Sequence, residues 1–119
     1  MRTIAHWVDG KYYEGNPIGR FAVENPGTGE VEAELLQASD ADLDHAVEVA
    51  RRAQKEWAKV SLAKRTEIMF RMRQLVLDHQ DEMAKMIVAE HGKNYSDAVG
   101  EIQRGRETLD FATAINVAL

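Results

Sequence analysis

The polar residues between positions 89 and 105, in the stretch AEHGKNYSDAVGEIQRG, are the strongest candidates for chemistry in this sequence. Gly92-Lys93 invites comparison with a phosphate-binding loop. That motif needs an earlier glycine and a Ser or Thr after the lysine, and this chain has Asn94 there. We therefore interpret Gly92 as a left-handed residue that ends one helix, and the stretch predicts a joint between two helices.

Arg104 is the candidate binding residue in the same stretch. It directly precedes Gly105, which the apolar spacing places on the packing face of a helix, so Arg104 would stand at the edge of that face. A glycine there lets another backbone approach closely, and an arginine at such an edge can bind a carboxylate through two parallel hydrogen bonds. The local pattern by itself favours a simpler interpretation, an exposed or structurally paired arginine.

Metal and thiol chemistry find little support. The pairs His45/Glu48 and His79/Glu82 have i, i+3 spacing and place two potential ligands on one helix face. Two ligands per pair are too few for a metal site, so we expect none. The chain has no cysteine, which excludes disulfides, zinc–thiolate sites and a cysteine nucleophile within it.

Length and charge restrict the function classes. A chain of 119 residues fits one small domain. Its net charge of −5 argues against nucleic acid as a main partner, because phosphate contacts need a basic surface. No apolar run is long enough for a membrane span, and the first residues lack the apolar core of a signal peptide. We expect a cytoplasmic protein that binds neither membrane nor nucleic acid.

The elements that must position Arg104 fall into two regions, a β-hairpin region at 1–38 and a helical region at 39–119. Asp9-Gly10 suits the two-residue turn of a first hairpin. The turn sequence ENPGTGE separates strands RFAV and VEAELLQ in a second hairpin. In VEAELLQ, apolar residues at 31, 33 and 35 alternate with glutamates, which predicts one buried and one wet face.

About four helices are predicted from residue 39 onward, which makes the fold class α+β and the chain one structural unit. The predicted helix starts are Ser39 with Asp42 as a capping box, Ser61, Asp78 or Asp81, and Ser96. The last helix would pack through Val99, Ile102, Gly105, Leu109 and Ala112. Its end, ATAINVAL at 112–119, is apolar and has no capping residue, which we interpret as a sign of truncation.

Three motifs carry a family resemblance. NP-x-TGE occupies residues 25–30, W-x-x-x-S/P-x-x-x-R occupies 57–65, and E-x-GK-x-x-x-(D/E)-A-x-x-E occupies 90–101. In this order they resemble the N-terminal segment of the NAD(P)-dependent aldehyde dehydrogenase superfamily, from about residue 5 onward. Within it, EIQRGRETLDFA is most similar to the CoA-acylating methylmalonate-semialdehyde dehydrogenase branch, which has an Arg-Gly pair at this point.

The resemblance implies that Arg104 recognises the carboxylate of a semialdehyde such as malonate or methylmalonate semialdehyde. Arg106 stands where we expect an apolar residue in that branch, so Arg104 would either be displaced or act together with Arg106. The resemblance also implies a cysteine thiolate that attacks the aldehyde, NAD as hydride acceptor and CoA as acyl acceptor. We expect none of these parts, no cofactor site and no Rossmann sheet in this chain, which corresponds to roughly the first quarter of such an enzyme.

Two hypotheses follow for the chain as a whole. In the first, it is a dehydrogenase fragment that is inactive alone and whose partner is the missing C-terminal part of the enzyme. In the second, it is a stand-alone helical interaction or structural protein. Apolar helix faces that the rest of an enzyme would cover then pair with a second copy, through the helices around 62–76 and 96–115.

Overall fold

The computed structural model describes residues 1–115, which fall into two compact units that divide after Lys59. The strands are β1 (Arg2–Ile4), β2 (His6–Val8), β3 (Lys11–Tyr13), β4 (Gly19–Glu24) and β5 (Val31–Gln37). The helices are α1 (Asp40–Trp57), α2 (Leu62–Asp78), α3 (Gln80–His91) and α4 (Tyr95–Thr113). The α+β class with four helices is confirmed. The end of the predicted apolar run, residues 116–119, lies outside the described residues.

Both predicted hairpins are present in the first unit. Strands β2 and β3 pair antiparallel across Asp9 and Gly10, whose φ angles are 56° and 73°. Two positive φ angles are what a type I′ turn requires, and Asp-Gly supplies them. Strands β4 and β5 also pair antiparallel, and the Asn25 side chain between them accepts a hydrogen bond from Gly27 N at 2.9 Å.

Strand β1, which has three residues, was not predicted. It pairs in parallel with β5, with Arg2 opposite Ala33, and completes a three-stranded sheet in the order β1-β5-β4. A strand of three residues is too short to show a two-residue hydrophobic period. Its partner lies about thirty positions away, so no local signal marks the pairing.

The prediction of one buried and one wet face on β5 is wrong. Ala33 and Leu36 are the buried side chains of this strand, while Val31 and Leu35 are exposed. Residues three apart on a strand point to opposite faces. Each face of β5 is therefore covered at one position.

Three of the predicted helix boundaries are confirmed. Ser39 accepts a hydrogen bond from Asp42 N, and the Asp42 side chain accepts one from Ser39 N, which is the predicted capping box. Ser61 accepts from Lys64 N at the start of α2. Gly92 ends α3 in the left-handed conformation, with a φ of 76°.

Two predicted helix starts are wrong. Helix α3 follows His79, which makes no side-chain capping bond; Asp78 instead ends α2, and Asp81 lies inside α3. Helix α4 starts from Asn94, not Ser96, because the Asn94 side chain accepts from Asp97 N at 2.9 Å. Asn caps a helix as well as Ser does, and Asn94 comes first along the chain.

The second unit packs α3 and α4 through small residues. Ala84 on α3 and Ala98 and Ile102 on α4 are buried together. Partly buried apolar side chains surround them: Val76, Met83, Ile87, Val88 and Val99. This core holds the joint between α3 and α4 and fixes the direction of α4, which carries Arg104. Across residues 1–115, each helix is too short or too polar to cross a bilayer.

Candidate functional site

Arg104 lies on the solvent side of α4. Its side chain is 72% exposed, and its Nη2 atom is 3.9 Å from Glu101 Oε1, one helical turn earlier. That distance allows electrostatic attraction but exceeds the range of a hydrogen bond. The guanidinium therefore keeps most of its five hydrogen-bond donors directed to solvent, where a planar carboxylate can meet two of them.

The glycine beside Arg104 does not pack as predicted. Gly105 is exposed, and a Cβ atom added there would meet no other atom within 4 Å. The buried and half-buried side of α4 instead runs through Ala98, Ile102 and Leu109. In the described chain, the space next to Gly105 and Arg104 is therefore open, and no other part of the backbone packs there.

The carboxylate nearest Arg104 is already engaged. Lys93 Nζ donates a hydrogen bond to Glu101 Oε1, the same oxygen that faces Arg104. This hydrogen bond and the positive charge of Lys93 hold the pKa of Glu101 below its usual range, and Arg104 and His91 contribute in the same direction. The Lys93 side chain is 16% exposed and Glu101 is 43% exposed, so the pair is partly shielded from water.

Arg106 occupies a different side of α4, about 200° around the helix from Arg104. Its Nε atom is buried without a hydrogen-bond partner in the described chain and lies 4.0 Å from Asp110 Oδ2. Asp110 also accepts a hydrogen bond from Arg73 Nε on α2. Arg106 therefore belongs to the α2–α4 packing, and the structure does not bring it together with Arg104.

The two His–Glu pairs behave as surface residues. His79 Nδ1 lies 3.0 Å from Glu82 Oε2, and both side chains are more than half exposed. His45 instead lies against Tyr13, with ring centroids 5.2 Å apart. Between residues 1 and 115, no three metal-binding side chains come together in a way that could hold an ion.

Asp42 is the residue whose importance the sequence concealed. Its carboxylate accepts hydrogen bonds from Tyr13 OH at 2.9 Å, Asn16 N at 3.1 Å and Ser39 Oγ at 2.7 Å. These bonds, led by the one from Ser39, hold its pKa well below the usual range of an aspartate. Of these contacts, only the capping bond with Ser39 joins residues close enough in sequence to be predicted from it. We call Asp42, Tyr13, Asn16 and Ser39 the Asp42 hub.

The described residues do not fit a nicotinamide cofactor. The turn with Gly27 and Gly29 runs into strand β5, and dinucleotide binding needs a helix N-terminus there. Gly92 and Lys93 precede α4, but Asn94 caps that helix and satisfies the backbone donor of Asp97. No step of a hydride transfer is therefore assigned to these residues.

Comparison with known proteins gives one consistent picture. The family model described as the aldehyde dehydrogenase family matches residues 12–117. The malonate-semialdehyde dehydrogenase 2 of Oceanobacillus iheyensis is 41% identical over 113 residues, which cover 95% of this chain and 23% of that protein. A malonate-semialdehyde dehydrogenase of Listeria monocytogenes is 37% identical over 94% of this chain and 23% of its own length.

Comparison with solved structures points to the same family. A Sinorhizobium meliloti protein described as a methylmalonate-semialdehyde dehydrogenase, complexed with NAD, superposes with a TM-score of 0.93 at 40% identity. The match covers 98% of this chain and 24% of that one. The methylmalonate-semialdehyde dehydrogenase of Oceanimonas doudoroffii gives the same TM-score at 36% identity, with the same coverage. The chain thus spans about a quarter of the length of the relatives it matches.

Proposed function

Because the chain belongs to the aldehyde dehydrogenase family, we propose that it is the N-terminal segment of a CoA-acylating (methyl)malonate-semialdehyde dehydrogenase and is inactive by itself. The chain contains no cysteine, so it offers no thiolate to attack an aldehyde. NAD and CoA would bind the remaining part of the enzyme, which is then the main partner of this segment. We place the enzyme in the cytoplasm and expect no nucleic-acid or membrane partner.

The observation that carries this proposal is the state of Arg104. Among residues 1–115 it is a largely exposed guanidinium to which no carboxylate is hydrogen-bonded, on a segment similar to enzymes named for substrates that carry a carboxylate. In the complete enzyme, Arg104 would bind that carboxylate in bidentate fashion and orient the aldehyde end of the substrate. The substrate class is thus a short semialdehyde with a negative charge at its far end.

The first test joins this chain to the rest of a relative. In this hybrid enzyme, residues 1–119 replace the matching segment of the Oceanobacillus iheyensis malonate-semialdehyde dehydrogenase. We expect NAD reduction with malonate semialdehyde and CoA from the hybrid enzyme and none from the isolated chain. Turnover by the isolated chain would contradict the proposal, and so would a folded hybrid enzyme that is inactive.

The second test concerns Arg104 directly. Arg104→Met in the hybrid enzyme should lower kcat/KM for malonate semialdehyde about 10- to 100-fold, since one charge-assisted hydrogen-bonded contact is lost. With propanal, which is similar in size but has no carboxylate, kcat/KM should hardly change. Arg71→Met, at another exposed arginine of the same unit, is the matched control and should change neither value. Equal losses with both aldehydes would refute a role in carboxylate recognition.

An exposed apolar surface supports the second candidate, self-association as a stand-alone interaction protein. Ile68, Met72 and Leu75 on α2 are 40%, 48% and 57% exposed and have i, i+4, i+7 spacing. Phe111 on α4 is 72% exposed. Such side chains on a folded chain favour pairing with another apolar face.

Sedimentation of the isolated chain tests this candidate. It predicts a dimer or larger assembly at micromolar concentration, which Met72→Glu dissociates. Glu67→Gln, an equally small change at an exposed polar position of α2, should leave the assembly intact. A monomer at all concentrations would exclude self-association through this surface.

A further inference from the structure

Three charged side chains form a chain of interactions across the joint between α3 and α4. Lys93 Nζ donates a hydrogen bond to Glu101 Oε1, and Arg104 Nη2 lies 3.9 Å from the same oxygen. His91, at the end of α3, adds a further positive field when it is protonated. One carboxylate thus lies between two permanent cations, and it is hydrogen-bonded to only one of them.

Glu101 has the position of an intramolecular competitor. An acid three residues before an arginine on a helix forms an ion pair with it readily. Its tether gives it an effective concentration of millimolar or more, comparable with that of a metabolite. If Glu101 paired fully with Arg104, a substrate carboxylate would first have to displace it.

The geometry around Lys93 leaves that pairing incomplete, at 3.9 Å and without a hydrogen bond. Lys93 follows Gly92, whose left-handed conformation turns the chain between the helices, and its side chain is mostly buried. Arg104 is 72% exposed, so it has far more conformational freedom than Lys93. The less exposed cation therefore donates the hydrogen bond to the carboxylate, and the exposed guanidinium stays 3.9 Å from the same oxygen.

Resting on the proposed function of Arg104, we propose that Lys93 is a positioning residue for substrate recognition: it holds Glu101 away from Arg104 and so keeps the guanidinium free for the substrate carboxylate. Lys93 does not touch the substrate in this account. It acts through Glu101 alone, so removing Glu101 together with Lys93 should cancel the effect.

The intact 119-residue chain allows the first test, a double-mutant cycle on the pKa of Glu101 measured by NMR. The four chains are the natural sequence, Arg104→Met, Lys93→Met and the double variant. Removing Arg104 should raise the pKa of Glu101 slightly when Lys93 is present, and at least about twice as much when Lys93 is absent. Equal effects in both backgrounds would overturn the proposal, because Glu101 would then not move to Arg104. If Lys93→Met fails to fold, Lys93→Gln replaces it in the same cycle.

The hybrid enzyme provides the functional test. Lys93→Met should raise KM for malonate semialdehyde about tenfold, in line with one added ion-pair competitor, and leave kcat unchanged. Kinetics with propanal should not change. Lys93→Met with Glu101→Gln should restore the original KM, and Lys85→Met, which breaks the exposed pair with Asp81, is the control that should have no effect.

The outcomes separate this inference from the proposed function. If Arg104→Met leaves the preference for malonate semialdehyde over propanal unchanged, the proposed role of Arg104 fails. If Arg104→Met removes the preference but Lys93→Met does not alter KM, only the inference about Lys93 fails. Loss of activity with both aldehydes, without rescue by Glu101→Gln, would show a purely structural role for Lys93 and would also overturn it.

Discussion

The Asp42 hub and the Arg104 site (Arg104 with Glu101 and Lys93) differ in how far their central charged side chain is buried and hydrogen-bonded. Asp42 is 3% exposed and accepts hydrogen bonds from Tyr13, Asn16 and Ser39. Arg104 is 72% exposed, and its ion-pair partner in the described part of the chain is Glu101, at 3.9 Å. The Asp42 charge is hydrogen-bonded several times by described residues, whereas the Arg104 charge has only a distant ion pair among them.

This difference separates a structural charge from a binding charge. A buried carboxylate with several donors stabilises the fold and has no capacity left for a ligand. An exposed guanidinium contributes little to stability, and its donors remain available. Variants at the hub should therefore change stability, whereas variants at Arg104 should change binding.

The largest loss of stability is expected from a substitution at Gly15, whose backbone lies against the Asp42 side chain. Gly15 has a φ of 64°, and a Cβ atom there would lie 2.3 Å from Asp42 Oδ1. Gly15→Ala should destabilise by about 1–2 kcal/mol for the left-handed backbone plus about 1–3 kcal/mol for the clash. Gly29→Ala, with a φ of 75° and no atom within 4 Å, isolates the backbone cost. Equal unfolding free energies for the two variants in denaturant would show that the hub tolerates displacement.

Asp42→Asn, which removes the charge of the hub, should lower the free energy of unfolding less than Gly15→Ala does, because asparagine keeps one acceptor oxygen. The pKa of Asp42 is lowered in the folded chain, so its ionisation stabilises the fold fully above the ordinary aspartate pKa of about 4. This stabilisation declines as the pH falls below that value and is lost as the pH falls through the lower pKa of the folded chain. The stability gap between the natural chain and Asp42→Asn should thus narrow from pH 7 to pH 3. Asp44→Asn, at an exposed acid of the same helix, should give almost no gap at pH 7. A pH-independent gap for Asp42→Asn would contradict this account.

A smaller effect is expected at the start of α4, which orients Arg104. Asn94→Ala removes the side chain that accepts from Asp97 N and should destabilise by about 1 kcal/mol. Ser96→Ala, two residues later, should change the free energy of unfolding by less than about 0.5 kcal/mol. Denaturant titration of both variants measures the two losses of unfolding free energy. A larger loss for Ser96→Ala than for Asn94→Ala would show that Ser96 is the capping residue.

The smallest stability change is expected at Arg104 itself. Arg104→Met should alter the free energy of unfolding by less than about 0.5 kcal/mol, since an exposed ion pair at 3.9 Å is worth little. Thermal unfolding of the isolated chain checks this value. A loss as large as that of Asn94→Ala would show that Arg104 is a structural residue and would remove the contrast between the two regions.

The sequence predicted those parts of the fold whose determinants are local. Ser39, Ser61 and Gly92 act within a few residues of themselves, and all three mark helix ends as predicted. The parallel pairing of β1 with β5 and the bonds from Tyr13 and Asn16 to Asp42 join residues 26 or more positions apart. Capping and periodicity rules consider only residues a few positions apart, so they cannot predict contacts that depend on the tertiary arrangement of the hairpins.

The candidate site was predicted only in part, and for a related reason. The resemblance singled out Arg104, while helical spacing misplaced Gly105, which is exposed. Lys93 was dismissed with the phosphate-loop motif, yet it bonds to Glu101 eight positions later across the helix joint. That contact follows from the turn at Gly92, so it could be seen only once the two helices were placed.

The most direct test of the central claim is a crystal structure of the hybrid enzyme with malonate, which retains the carboxylate of the substrate. The account predicts a malonate carboxylate oxygen within about 3.2 Å of an Arg104 guanidinium nitrogen, with Glu101 still bonded to Lys93. Malonate bound in the substrate pocket while Arg104 points to solvent, or is hydrogen-bonded to Glu101 instead, would contradict it.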